Sequence, residues 1–114
     1  MLARKNRLSE SQDFKRVETD GTIYQSQNFG LAYFDRKDEE PSRYGFVVST
    51  KIAKDAVDRN RFKRAMSESV RTSGTDLKSG FDVVFLAKTS IVKSPTSDIM
   101  KEVRVALKGS KLLK

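Results

Sequence analysis

The segment FDVVFLA at 81–87 constrains the fold most, because six of its seven residues are apolar. Side chains of a strand alternate between the two faces of its sheet, so an apolar run without alternation predicts a strand buried on both faces. Such a strand belongs inside a sheet that has other elements packed against it. The only charged residue in the run is Asp82.

The rest of the chain supplies the partners that this strand needs. Strand-like runs occupy 22–26, 28–34 and 43–50, and helix-like segments lie on either side of them. The first helix contains Phe14 and Val17 on one face and ends at Gly21, and Ser9 with Gln12 resembles a capping box.

Two further helices are marked by residues that favour helix ends. Asp55 is a cap for a helix that runs to about Thr72, and Ser94–Pro95 opens a last helix that ends at Gly109. The predicted order is αβββαβα, an α+β fold in which one sheet carries packed helices, a single-domain α/β sandwich. The 114 residues suit one domain over 1–114, with the first few residues and 109–114 predicted to be flexible tails.

The charge balance indicates a polyanionic partner. Twenty-three Lys and Arg residues outnumber fifteen acidic ones, which gives a net charge of +8 and a pI near 9.9. The excess is uneven, since eight basic residues oppose three acidic ones between Arg43 and Arg71. Nucleic acid is the partner that such a domain favours, and charge that serves only solubility is the alternative. The absence of cysteine, of an apolar span and of a signal peptide predicts a cytoplasmic domain.

Several catalytic chemistries are missing from the sequence. The chain has no histidine, which removes the commonest general base and any Ser-His-Asp triad. Without histidine or cysteine a zinc site is disfavoured, and the acidic residues are too scattered to predict a two-metal nuclease. The sequence therefore predicts a nucleic-acid-binding surface with no catalytic residues of its own.

The stretch RNRFKR at 59–64 concentrates four cationic side chains on the second helix. Helical spacing places Phe62 on the buried side and Asn60 and Arg64 on the opposite side. Guanidinium groups suit phosphate oxygens, so we expect RNA or DNA to bind this face, whereas a solvated amphipathic helix is the alternative. The predicted contact set is Arg59, Asn60, Arg61, Lys63, Arg64 and Arg71, with Lys51 and Lys54 in the preceding turn.

Aromatic residues next to cations suggest a second surface. Phe14 precedes Lys15, and Tyr33 and Phe34 lie on a strand-like run. Aromatic platforms with a cationic rim bind unpaired strands, although Phe14 is equally suited to a core position.

The run RYGFVVSTKIAKDAVDRNRFKRAMSESVR resembles the signature of the bacterial ribonuclease P protein component. The early RLSESQDF is similar to the start of that family, and GFDVVFLAK is similar to its strand after the basic helix. The resemblance extends from about Arg7 to Lys88. Glu18 departs from the pattern, because many members have a second aromatic residue there.

The resemblance implies a role in transfer RNA maturation. The family supplies the small subunit of a ribonucleoprotein whose RNA subunit, the P RNA, removes the 5′ leader of precursor tRNA with Mg²⁺ held mainly by RNA. It also implies a left-handed crossover through the basic helix, a fold shared with a domain of a small-subunit ribosomal protein, and one monomeric protein per RNA. The leader cleft that it implies comprises Phe14, Lys15, Tyr33, Phe34 and Arg43.

Two other functions remain open at this point. A non-catalytic RNA-binding module, such as a ribosomal or assembly protein, would carry the same basic helix. A self-sufficient nuclease is disfavoured by the missing histidine and the scattered acidic residues.

Overall fold

A computed structural model describes residues 2–114 and confirms the order αβββαβα. The helices and strands are α1 (Ser11–Asp20), β1 (Thr22–Gln25), β2 (Phe29–Asp35), β3 (Arg43–Val47), α2 (Ala56–Ser73), β4 (Phe81–Ala87) and α3 (Thr96–Gly109). Short 3-10 turns lie at Arg4–Asn6, Gly74–Asp76 and Thr89–Lys93. None of the helices in this part of the chain is long and apolar enough to cross a membrane.

The four strands form one mixed sheet in the order β1-β2-β4-β3. Strand β2 pairs antiparallel with both β1 and β4, whereas β3 and β4 are parallel neighbours. Parallel neighbours require a crossover, and α2 provides it. The left-handedness expected for this crossover stays a prediction. As the last strand in the order, β3 lies at an edge of the sheet, where the Leu8 amide of the N-terminal segment donates to the Tyr44 carbonyl at 3.0 Å.

Strand β4 is buried on both faces, as its composition predicts. Val83 and Phe85 pack into the core beneath α2 and α3, while Val84 packs with Val17 of α1 on the other face. The Phe85 ring lies between Phe29, at 5.4 Å between ring centroids, and the stacked Phe46, at 5.3 Å. Burying one such side chain stabilises the fold by about 1.5–3 kcal/mol.

Helices α2 and α3 lie side by side and run in the same direction. The Ser69 hydroxyl donates to the Met100 carbonyl at 2.8 Å, and Arg104 Nη1 donates to Ser73 Oγ at 3.2 Å. In each pair the two residues are 31 positions apart in the sequence, so α2 and α3 are parallel. The predicted inward face of α2 is confirmed, because Phe62, Ala65, Met66, Ser69 and Val70 are all buried.

Residues of both predicted tails pack against the fold, and the flexibility of the tails stays a prediction. Leu112 is only 1% exposed, and the Lys78 amide donates to its carbonyl at 2.9 Å. The Lys114 amide donates to the Asp76 carbonyl at 2.7 Å. At the other end Leu2 packs into the main core, while Met1 lies outside the described residues. The apolar side chains of the two ends bury surface that the helices alone leave open.

The predicted helix caps are corrected in detail. Helix α1 begins after Glu10, without a side-chain capping bond, so the capping box from Ser9 to Gln12 is wrong. Asp55 occupies the N-cap position of α2, but its side chain makes no capping bond. Pro95 precedes α3 rather than lying within its first turn.

Candidate nucleic-acid interface

A groove of about 390 Å³ follows β3, at the edge of the sheet, between α1 and α2. We call it the β3 groove. One wall comes from the N-terminal segment and α1, the floor from β3, and the other wall from α2. Its lining residues are Leu2, Arg7, Leu8, Phe14, Tyr44, Gly45, Phe46, Asn60, Lys63, Arg64 and Ser67.

The floor of the β3 groove is aromatic because Gly45 lets a ring approach the backbone. A Cβ atom at Gly45 would lie 2.5 Å from Cε1 and Cζ of Phe14, which is too close for a side chain. A glycine inside a strand often marks such a close approach. Tyr44 and Phe46 flank Gly45, and burial raises the pKa of Tyr44 to about 12. The phenol therefore stays neutral and adds no negative charge beneath the groove.

The wall from α2 is cationic. Asn60, Lys63 and Arg64 are exposed on α2 and line the groove, and Arg7 lines it from the N-terminal segment. Aromatic rings beside a row of cations form the usual surface for an unpaired nucleic-acid strand, because bases stack and phosphates are neutralised. The structure thus brings Phe14 together with half of the predicted RNA-binding residues of α2.

Arg59 makes hydrogen bonds to the backbone that the sequence did not predict. Its Nη1 donates to the carbonyl of Ala53 at 3.0 Å and to that of Lys54 at 2.6 Å. The side chain therefore stabilises the turn before α2. Lys51 and Lys54 are exposed on that turn. Arg59 therefore helps to hold the backbone that carries these two lysines.

Arg61 and Arg71 lie on exposed parts of α2 outside the β3 groove. The Arg61 guanidinium lies 4.4 Å from the centroid of the Phe62 ring. Arg71 Nε pairs with the Glu68 carboxylate at 2.5 Å, and this hydrogen bond lowers the pKa of Glu68. The positive charge of Arg71 is therefore offset by an acidic neighbour, whereas Arg61 contacts the face of an aromatic ring.

The structure brings Phe14 and Phe34 together on the α1 face of the sheet and places Tyr33 on the opposite face. Phe34 lies on the α1 face of the sheet beneath the Arg16 guanidinium, 5.0 Å from its ring centroid. Tyr33 points to the opposite face and meets Phe81 edge-on at 6.4 Å. Adjacent strand residues face opposite ways, so Tyr33 is not brought together with Phe14. Lys15 is exposed on α1.

Arg43 belongs to a cluster of charges around the fully buried Asp82. We call it the Asp82 cluster. The Asp82 carboxylate accepts from Arg16 Nη2 at 2.9 Å, from Arg43 Nη2 at 2.8 Å and from Arg36 Nη1 at 2.5 Å. These arginines come from α1, from β3 and from the loop after β2, so one carboxylate joins α1 to the sheet. Arg43 also pairs with Asp13 at 3.3 Å.

The cluster keeps Asp82 ionised. Burial is the largest single influence and raises the pKa of Asp82, but hydrogen bonds from Arg43, Arg36 and Arg16 together outweigh it. The pKa of Asp82 is therefore lower than its ordinary value. The negative charge of ionised Asp82 compensates the positive charges of the guanidinium groups around it.

Comparisons with known proteins identify the family. A family model described as Ribonuclease P matches residues 2–111. The chain is 33% identical over 112 residues to the ribonuclease P protein component of Caldanaerobacter subterraneus, with 98% of this chain and 95% of that protein covered. The chain belongs to the ribonuclease P protein family.

Other members of the ribonuclease P protein family agree in sequence and fold. The protein component of Dehalococcoides mccartyi is 35% identical over 108 residues, covering 95% of this chain and 87% of that protein. The Staphylococcus aureus RNase P protein superposes with a TM-score of 0.89 at 25% identity, covering 96% of this chain and 98% of that one. The Thermotoga maritima protein, at 24% identity and a TM-score of 0.80, shows the same fold.

Membership of the ribonuclease P protein family assigns the chain a general role. It is an RNA-binding subunit of ribonuclease P, part of an endoribonuclease holoenzyme in tRNA processing, and RNA is its partner in a ribonucleoprotein. The expected fold, a four-stranded sheet with three helices, is that of bacterial RNase P proteins.

Two features in and beside the candidate interface were missed by sequence reasoning, and both carry a signal. Gly45 interrupts an otherwise bulky strand, which indicates close packing by another group. Asp82 is the one charge in a buried strand, and a buried carboxylate needs a cationic partner. The partners Arg16 and Arg36 were not predicted, because they are distant in sequence.

The described carboxylates do not fit a magnesium site. Residues 2–114 contain no group of three or more His, Cys, Asp or Glu side chains placed to hold a metal ion. Asp13 and Asp82 come together through Arg43, but arginines already occupy their oxygens. No step of the reaction is therefore assigned to a metal held by these residues.

Proposed function

We propose that the chain binds the catalytic P RNA through α2 and the 5′ leader of precursor tRNA in the β3 groove. Together with the RNA it supports endonucleolytic removal of the leader, the 5′ maturation of tRNA. The observation that carries the proposal is the β3 groove, where the rings of Phe14 and Phe46 lie beside Lys63 and Arg64. An unpaired leader offers both groups that such a groove binds, stacked bases and phosphates.

Charge explains how the protein would assist an RNA catalyst. Catalytic RNA and precursor tRNA are both polyanions and repel each other. Lys63 and Arg64 are exposed between the aromatic floor and the outer face of α2, where they neutralise phosphates of either molecule. Binding of this kind releases counterions, so the affinity should fall steeply with salt.

The chemical step is assigned to the RNA subunit. The chain has no histidine, and the carboxylates of the Asp82 cluster are hydrogen-bonded to arginines. We expect Mg²⁺ to be held mainly by the P RNA, with one protein bound to each RNA. On this proposal the protein contributes binding energy and charge neutralisation, and no nucleophile or general base.

Replacing Phe14 by Ala should raise KM about tenfold for precursor tRNA with a long leader, because one base–aromatic stack is worth about 1–3 kcal/mol. KM should not change for a substrate whose leader is a single nucleotide. Gly45→Val should have the same effect, because a side chain there displaces the Phe14 ring. The measurement is cleavage by the reconstituted holoenzyme across a series of leader lengths.

Val105→Ala is a matched control, since this apolar side chain is exposed on α3 outside the β3 groove. It should leave KM unchanged at every leader length. An equal rise in KM for long and short leaders in Phe14→Ala would contradict leader binding in the β3 groove.

A further inference from the structure

A second groove, of about 570 Å³, separates α2 from α3. We call it the α2–α3 groove. It is lined by Val57, Asn60, Arg61, Arg64, Ala65 and Glu68 from α2 and by Thr96 and Met100 from α3. Of the residues that the structure describes, only Asn60 and Arg64 also line the β3 groove, so these two residues form a crest on α2 between the two grooves.

The two grooves differ in the kind of RNA that they fit. The half-buried rings of Phe14 and Phe46 give the β3 groove two aromatic faces for unpaired bases, whereas Tyr44 is buried beneath them. Among residues 2–114, none that lines the α2–α3 groove is aromatic, and the apolar members of the lining are Val57, Ala65 and Met100. A groove with cations and no stacking platform fits the sugar–phosphate backbone of folded, paired RNA, which proteins recognise by shape and phosphates.

We propose that α3 forms the second wall of the surface that binds the catalytic RNA, with Arg104 as its phosphate contact. The crest of Asn60 and Arg64 then divides that RNA from the leader in the β3 groove. The inference rests on the proposed function and adds α3 to it. It also divides the basic residues of α2, because Lys63 lies on the leader side and Arg61 on the catalytic-RNA side.

Arg104 is placed for this contact by the parallel packing of the helices. It lies one turn beyond Met100, which lines the groove, and its Nη1 donates to Ser73 Oγ at 3.2 Å. Ser73 is buried at the end of α2, whereas Arg104 is exposed. One corner of the guanidinium is therefore anchored to α2, and the exposed remainder presents N–H groups to a phosphate.

The charge along the α2–α3 groove is positive. Arg61 and Arg64 are exposed cations of its lining, and Arg104 continues the row beyond Met100. The acidic residue of the lining, Glu68, is ion-paired with Arg71, which offsets its charge. Phosphates therefore meet a net positive surface that both helices build.

Arg104→Ala should weaken binding of a bacterial ribonuclease P RNA transcript about four- to fivefold at 0.15 M salt. The slope of log affinity against log salt should fall by about 0.9, as expected for the loss of one phosphate contact. Arg104→Lys should recover most of the affinity, because it restores the charge. Ser73→Ala removes the anchoring hydrogen bond but no charge, so the affinity should fall less than in Arg104→Ala and the salt slope should stay unchanged.

Lys101→Ala is the matched control on the same helix. Lys101 lies with Glu102 on the flank of α3 that faces Asn28, away from α2. This variant has the same net charge as Arg104→Ala, yet its affinity and salt slope should stay close to those of the unaltered chain. The KM ratio between long and short leaders should be unchanged in both variants, since neither residue lines the β3 groove.

The outcomes separate this inference from the proposed function. Equal affinity losses in Arg104→Ala and Lys101→Ala, or no loss in either, overturn the role of α3 while the proposed function stands. Failure of the unaltered chain to bind the RNA overturns the proposed function and this inference with it. Thermal melts of each variant identify any loss that comes from unfolding.

Discussion

Asp82→Asn should lower the free energy of unfolding by about 3 kcal/mol, because removing one partner from a buried ion pair leaves the other charges unpaired. The substitution removes the negative charge that joins Arg16, Arg36 and Arg43. Three guanidinium groups would then repel each other at the junction of α1 and the sheet. Urea denaturation at neutral pH measures the change as a lower midpoint with an unchanged slope.

The same substitution makes a prediction about pH. Because the pKa of Asp82 is depressed in the folded state, its stabilisation is fully present above the unfolded pKa of about 3.9. It is lost as the pH falls through the folded pKa. The difference in stability between Asp82→Asn and the unaltered chain should therefore shrink below about pH 4.

Asp38→Asn is the control for the Asp82 cluster. Asp38 also pairs with Arg36, at 3.0 Å, but lies on an exposed loop. Exposed ion pairs add little to stability, so the midpoint of this variant should hardly move. Equal midpoints for Asp38→Asn and Asp82→Asn would show that the buried cluster does not join α1 to the sheet.

The double variant Arg61→Ala/Arg64→Ala should bind a bacterial P RNA about thirtyfold more weakly at 0.15 M salt. Each arginine removed costs one phosphate contact, so the salt slope should fall by about 1.8 in total. Both side chains are exposed on α2, and neither belongs to the buried core, so the fold should persist. Filter binding over a series of salt concentrations measures the affinity and the slope together.

A second double variant, Lys37→Asn/Lys101→Ala, controls for net charge. Lys37 has a φ of 59°, which asparagine adopts readily, and it lies on a loop away from α2. This variant loses the same two charges but should retain most of the affinity. A similar loss in both double variants would mean that total charge, rather than the α2 surface, governs binding.

The spacing of apolar residues along the sequence predicted β4 and the buried face of α2. The bounds of β4 at 81–87 and the inward face of α2 were correct, because apolar spacing reports which side of an element is buried. The family could also be predicted from the sequence, because RNRFKR lies within a longer run that resembles the family's signature.

Contacts between distant residues were not predictable from those patterns. Arg16 and Asp82 are 66 residues apart, so nothing local indicates their pairing. Tyr33 and Phe34 are adjacent and both aromatic, and only the register of β2 decides which one faces α1. The sequence predicted a frayed end that includes Leu112. The space that Leu112 fills exists only in the assembled core, so no local pattern indicates its burial.

Charge density was also an incomplete guide to the basic helix. Helical spacing places Arg59 and Lys63 on one edge of the polar face and Arg61 on the other, but it does not show what each side chain contacts. Arg59 donates to backbone carbonyls, Lys63 lines the β3 groove, and Arg61 lines the α2–α3 groove. Side-chain direction on a helix depends on the neighbouring elements, and these were known only from the fold.

The decisive measurement is cleavage of precursor tRNA at low Mg²⁺ by the protein alone, by a bacterial P RNA alone and by the two together. We expect no cleavage by the protein alone, slow cleavage by the RNA alone, and clear stimulation when both are present. Stimulation should be lost in Arg61→Ala/Arg64→Ala and retained in Lys37→Asn/Lys101→Ala. Failure to stimulate the RNA would favour a non-catalytic RNA-binding module, and cleavage by the protein alone would contradict an RNA-based active site.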